Sequence, residues 1–310
     1  MMCGRSFKSI FWASLALLAV SACCEGQSTP VIQPSASAEE AHAGEKPLPD
    51  IAALMHEVEA RQRLAEQVRK DYIYHSVQTE QEVDGHGGVK KTEVKEYDRF
   101  WINGVPVEKL VKKDGKDLTP DEAKKESERI DKEAVKAKER REKEDAKGKQ
   151  TDARGDDEVT VSRLLELGSF THPRRIAMDG RDTIVVDYSG DPKAKTRNSF
   201  EGVIRDMTGT IWVDEEDRTI AKLQGKFVDN FKIGGGLLVS IQKGTNFELQ
   251  QKRINGEVWL PERAEGHGQA RVFLFFKFNG GLIEVDSDYR KFKTSSTILP
   301  IGEPVEDAPK

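Results

Sequence analysis

The chain has 310 residues, 49 basic against 54 acidic, with a formal charge of −5; 33% of residues are charged and 36% apolar. That is too polar for one packed globule over the whole length and too apolar for disorder throughout. The mildly acidic balance argues against a nucleic-acid surface. The three cysteines all fall in the first 24 residues, so neither a disulfide scaffold nor a cysteine zinc site is available further on.

In chain order, Arg5 and Lys8 precede an apolar run of 11 residues, Ile10 to Val20. A bilayer core needs ~20, so the run reads as a secretory signal over residues 1–22. Val20-Ser21-Ala22-Cys23 resembles a bacterial lipobox, a signal in which the cysteine thiol takes a diacylglyceryl group and becomes the new N-terminus. Cys23 is therefore the expected lipid anchor. The alternative is a plain secretory signal cut after Ala22, with two incidental cysteines. Residues 23–49 carry Pro30, Pro34, Pro47 and Pro49 among Ser, Ala and Glu and show almost no apolar periodicity. They read as a flexible tether with a reach of roughly 25–30 Å.

Residues 50–293 read as one domain, followed by a tail over 294–310. Asp50 is a good N-cap, and Ile51, Leu54, Val58, Leu64 and Val68 lie near helical spacing, which predicts an amphipathic helix of roughly 20 residues. Strand patterns then run from Tyr72 to Val83 and from Val89 to Ile102. Asn/Asp-Gly dipeptides at 84, 103, 114, 179, 255 and 279 tolerate positive φ and predict the turns of an antiparallel meander.

The meander is interrupted over 112–157. Thr119-Pro120-Asp121-Glu122 has capping-box spacing, and 21 of the 30 residues from Pro120 to Lys149 are charged. Two readings stand: a solvated helix held by i,i+4 ion pairs, or a docking arm for a protein partner. The Asp214–Asp217 run reads as a solvated hairpin turn, with weak cation binding as the alternative.

Later strands are Thr183–Tyr188, Gly209–Val213, Thr219–Val228, Leu237–Leu249, Val258–Leu260, Arg271–Phe278 and Leu282–Phe292. The stretch 270–278 breaks the alternation of a half-exposed strand, with Val272, Leu274, Phe276 and Phe278 on one face and Phe273 and Phe275 on the other. Two-sided burial of this kind implies a cover on both sides of the sheet. Either a helix fills the concavity, or the concave face is a cleft for acyl chains. Candidate lining residues are Trp212, Phe227, Phe247, Trp259, Phe273 and Phe275. Parity does not decide which of them face inward, because a one-residue slip exchanges the faces.

The signal, the leading helix, the meander, Gly209-Thr210-Ile211-Trp212-Val213-Asp214, Thr219-Ile220-Ala221-Lys222-Leu223 and Trp259-Leu260-Pro261 together resemble the lipoprotein-carrier superfamily. That group includes periplasmic lipoprotein-sorting carriers and outer-membrane lipoprotein receptors. The resemblance covers about residues 50–105 and 165–293 and rests on soft motifs; the insertion at 112–157 has no place in the basic family pattern. It implies an α+β fold: a large curved antiparallel sheet, an incomplete β-barrel, with the leading helix as a lid over an apolar cavity that holds acyl chains.

Sites for covalent chemistry are not legible. None of the six histidines has a strong metal spacing, and no Gly-x-Ser-x-Gly elbow, phosphate loop or dinucleotide fingerprint occurs. The expectation is a non-enzymatic protein without cofactor or metal. It would be anchored on the periplasmic side of the bacterial envelope, at the outer membrane, and would bind acyl chains or lipoproteins. The alternatives are an envelope sensor or assembly scaffold with a filled core and a docking helix, and an unrecognised hydrolase.

Overall fold

The computed structural model describes residues 40–41, 46–102, 105–145, 161–233, 239–272 and 276–292. Cys23, Phe273, Phe275, the signal, most of the tether and the tail lie outside the described residues. Four helices are described: α1 (Ile51–Arg69), α2 (Pro120–Asp145), α3 (Val161–Leu167) and α4 (Ser199–Arg205). The strands are β1 (Glu40–Ala41), β2 (Tyr72–Val83), β3 (Val89–Ile102), β4 (Val105–Lys113), β5 (Lys116–Asp117), β6 (Gly168–Met178) and β7 (Arg181–Gly190). They continue with β8 (Met207–Asp214), β9 (Thr219–Phe227), β10 (Phe231–Ile233), β11 (Val239–Ile241), β12 (Asn246–Ile254), β13 (Val258–Val272) and β14 (Phe276–Lys291).

All fourteen join one sheet, in the order β1-β6-β7-β8-β9-β12-β13-β14-β2-β3-β4-β5, with the β10–β11 hairpin attached alongside β13. Every pairing is antiparallel, and the path ends on different strands, so the sheet is an open, incomplete barrel. The fold is the α+β curved sheet with a leading helix and an inserted charged helix that the sequence predicts.

Local chemistry sets the elements. The Asp50 carboxylate accepts the Ala53 N–H at 2.8 Å and starts α1. At α2 the expected capping box forms: Glu122 N–H reaches the Thr119 hydroxyl at 3.4 Å, and the Glu122 carboxylate accepts the Thr119 N–H at 3.2 Å. Asp114-Gly115 and Asp179-Gly180 turn tightly with positive φ at both residues, as does the Asn255-Gly256 pair.

Asn279-Gly280 does not turn. Gly280 sits within β14, paired with Gly268 on one side and Glu82 on the other, and a side chain there would strike the Gln81 carbonyl. Close backbone approach is the other reason a strand keeps a glycine. The aromatic stretch is corrected with it. Instead of one strand over 271–278, β13 ends at Val272 and β14 returns from Phe276, with Ala270 opposite Phe278. The described parts of the run belong to two paired strands, so its lack of alternation is no sign of a strand covered on both faces.

Two-sided burial occurs elsewhere, on β7 and β8. Ile184, Val186, Ile211 and Val213 face Leu54, Met55 and Val58 of α1, while Val185 and Trp212 pack with Ile176 on the other face. Burying each such aliphatic side chain contributes about 1.5–3 kcal/mol. Beyond that small cluster the outer face of β8, β9 and β12 is polar, carrying Thr208, Thr210, Lys222, Gln224 and Glu248.

The charged helix closes an edge. Glu126 accepts the Leu110 N–H at 2.8 Å, and Arg129 donates to the Glu108 carbonyl at 2.5 Å. Both backbone groups belong to β4, just past the point where β5 stops pairing with it. Ile130 is buried. The first half of α2 therefore satisfies the free edge of β4 from within the chain, a common way to prevent edge-to-edge association. It is neither wholly solvated nor wholly free for a partner.

Candidate binding face

The inner face of the sheet, the side that carries α1, divides into three zones. The first is aliphatic and lies under the N-terminal half of α1, as above. Farther along, Ala65 and Val68 of α1 pack against Tyr72, Val258 and Leu260.

The second zone is aromatic. Phe227, Phe231, Phe247, Met207, Ile241 and Val203 form one buried cluster that joins β8, β9, β12, the β10–β11 hairpin and α4. Register explains it. Phe247 stands opposite Gly225, where a Cβ would collide with the Phe247 ring, so the glycine makes room for that ring. Phe227 is 0% and Phe247 2% exposed.

The third zone is polar, and it was not legible in the sequence. Inner-face pairing runs from Leu249 to Ala264 to Glu284, then across to Gln78. Two residues along β14, Asp286 pairs with Ser76, which pairs with Tyr97. Arg99 grips both oxygens of Glu284, at 2.5 and 2.7 Å, and reaches Glu108 at 3.1 Å. The Ser76 hydroxyl donates to Asp286, and Gln78 donates to Glu284 at 3.4 Å. Tyr74 stacks on Tyr289 at 4.9 Å beside this group.

Burial, and then the charge of Glu284, push Asp286 up to about 7, against the pull of Arg99, Ser76 and Arg69. Burial opposes the charge of Arg99, but Glu284 and Glu108 hold its guanidinium ionised well above its ordinary range. The Nε atoms of Arg99 and Arg69 are buried and have no hydrogen-bond partner among the described residues. Because Arg69 ends α1, the last turn of that helix is electrostatically coupled to the polar zone.

The structure brings together only part of the residue set expected to line a cleft. Phe227 and Phe247 share the aromatic cluster. Trp212 lies on the opposite face, against Val185 and Ile176, with Lys222 Nζ 5.2 Å from its ring centre. Trp259 stands at the hairpin end and donates its indole N–H to Asp217 at 2.8 Å. Phe273 and Phe275 lie outside the described residues.

The acidic turn is not merely solvated. Asp214 and Glu215 are buried and clasped by Arg181 and Arg175, at 2.5 to 3.1 Å. The arginines take the place a cation would need. Among the described residues no group of three or more His, Cys, Asp or Glu is arranged to hold a metal ion, and no helix is long and apolar enough to cross a membrane.

No family model and no curated protein matches the chain. Among solved structures, a LolA superfamily protein from Nitrosomonas europaea is similar at 10% identity and a TM-score of 0.31, over 76% of this chain and 93% of that one. A chain of the Pseudomonas aeruginosa MucA/MucB complex is similar at 8% identity and a TM-score of 0.20, over 76% of this chain and 99% of that one. Both are distant likenesses of layout. At these scores neither assigns a ligand, a partner or a place in the cell.

Proposed function

We propose that this is a non-catalytic protein of the bacterial envelope that binds acyl chains of lipids or lipoproteins on the inner face of its sheet, with α1 as a displaceable lid. One observation supports this reading above the others. The aliphatic inner surface of β7 and β8 is covered chiefly by α1, which packs on it through a stripe led by Leu54, Met55 and Val58, with Leu165 of α3 beside it. Lifting one amphipathic helix off an open sheet exposes an apolar surface suited to acyl methylenes, each contributing about 0.8 kcal/mol when buried. The tether and Cys23 would place that face near a membrane.

A second reading has its own observation. The aromatic cluster is buried and α1 covers much of the aliphatic zone, which favours a sensor or assembly scaffold with a solid core. Native mass spectrometry of the protein purified with and without added lysophospholipid separates the two. The lipid-binding reading expects adducts of one or two acyl-lipid masses, reduced several-fold when Leu223, which packs between the aliphatic and aromatic zones, becomes glutamate. Circular dichroism confirms that the Leu223→Glu variant is folded. An adduct-free spectrum at all lipid ratios contradicts this reading and leaves the scaffold.

A further inference from the structure

A groove of about 320 Å³ opens along one side of α4, between that helix and β10. Its lining includes Arg197, Asn198, Arg205, Phe231, Lys232 and Ile233. Three cationic side chains thus converge on it from three separate elements: the loop before α4, α4 itself and β10.

The loop that carries Arg197 is fixed from below. Glu201 accepts the Arg163 guanidinium at 2.7 and 2.9 Å and the Arg197 N–H at 2.5 Å. Arg163 also donates to the Lys195 carbonyl, and Asn198 caps α4 through the Glu201 N–H at 2.9 Å. Residues 195–198 are therefore held by a buried ion pair, so the positions from which Arg197 and Asn198 project are set in advance.

The cations are only partly compensated. Arg205 is paired with Asp206 at 2.8 Å, and Arg197 reaches Glu166 at 3.8 Å. Lys232 is paired in the β10–β11 ladder through its backbone, and its side chain makes no hydrogen bond or ion pair among the described residues. Like charges gathered on one groove repel one another, and a bound anion relieves that repulsion.

The floor has the opposite chemistry. Phe231 and Ile233 line the groove and also pack in the aromatic cluster. At Gly202 a Cβ would stand 3.2 Å from the Phe231 ring, so the glycine leaves that ring its place on the floor. Positive charge at the rim and an aromatic floor continuous with the inner core match a molecule with an anionic head and an apolar chain.

We infer that this groove takes the phosphate oxyanion of an acyl-bearing ligand, with Arg197 and Lys232 as its ionic contacts and Phe231 at the start of the chain's path. The inference rests on the lipid-binding reading and adds the ligand's charge to it. A phosphate could come from a lipid head or from solution, and the test separates these sources.

Isothermal titration calorimetry of the full chain at low salt uses three probes: inorganic phosphate, a short-chain lysophosphatidic acid, and the monoacylglycerol of the same chain. The lysophosphatidic acid is expected to bind at least about tenfold tighter than the monoacylglycerol, the effect of one charge-assisted hydrogen bond. The double variant Arg197→Gln, Lys232→Gln is expected to abolish that preference. Its melting temperature and monoacylglycerol affinity stay unchanged, because both side chains are at the surface. Equal binding of the two lipids by the native protein overturns the groove and leaves the lipid reading standing. Binding of phosphate with no gain from the acyl chain overturns the amphiphile and the lipid reading together. Absence of binding by all three probes overturns both.

Discussion

Replacing Phe227 with alanine is expected to lower the free energy of unfolding by about 3–5 kcal/mol, the range for removing a fully buried phenylalanine. The ring has no exposed surface and is enclosed by Phe231, Phe247, Met207 and Ile241. Truncation loses the transfer energy of the ring, and the cavity it leaves cannot collapse easily. Its neighbours come from β8, β10, β11 and β12, and the ladder fixes each of these strands. Phe231, 6.3 Å away between ring centres, also loses a packing partner. Urea unfolding followed by circular dichroism measures the change. A loss below about 1 kcal/mol would mean that the ring lines an open cleft, as the sequence alone allowed, and that the cluster is not packed.

The second large effect lies in the polar zone. Arg99→Ala is expected to cost about 3–5 kcal/mol at pH 8, because it leaves Glu284 and Asp286 buried without their cation. The pH dependence identifies the cause. Asp286 sits at about 7 in the folded protein and near its ordinary value, 3.8, when unfolded. Between those values the folded state holds a proton that the unfolded state lacks. This contribution to stability is present at the acid end and is lost as pH rises through about 7. The native protein minus Asp286→Asn should therefore show a difference in stability that falls from pH 4 to pH 8. The asparagine keeps an oxygen for the Ser76 hydroxyl, so the variant should be the more stable protein at pH 8. Parallel profiles for the two proteins would rule out Asp286 as the titrating group.

Much of the scaffold was legible because local chemistry decides it. Asp50, the Thr119–Glu122 box and the strands Tyr72–Val83 and Val89–Ile102 have the bounds their patterns predict. The departures share a cause, tertiary pairing that outweighs a local pattern. At Asn279-Gly280 the glycine serves a close approach to β2 rather than a turn. On β14, polarity alone would favour burying Val285 and exposing the acidic residues. The structure reverses this: Val285 is 39% exposed while Asp286 is buried, because Arg99 arrives from β3, 187 positions earlier in the chain, to compensate the carboxylates. Sequence spacing carries no trace of that partnership. α4 did leave a signal, Asn198 three residues before Glu201, the Asn-x-x-Glu form of a capping pattern, in a stretch otherwise too short to show periodicity. Among the candidate lining residues, register separates Trp212 from Phe227: Met207 pairs with Phe227, and Trp212, five residues on along β8 in unbroken register, falls on the other face.

The measurement that tests the lid most directly is amide hydrogen exchange over residues 51–69, with and without a saturating short-chain lysophospholipid. If α1 lifts from β7 and β8 to admit acyl chains, its amides lose protection in the presence of lipid, while those of β7 and β8 keep theirs. Bound lipid with protection of α1 unchanged or increased would show that the helix is a fixed part of the core, and would contradict the account.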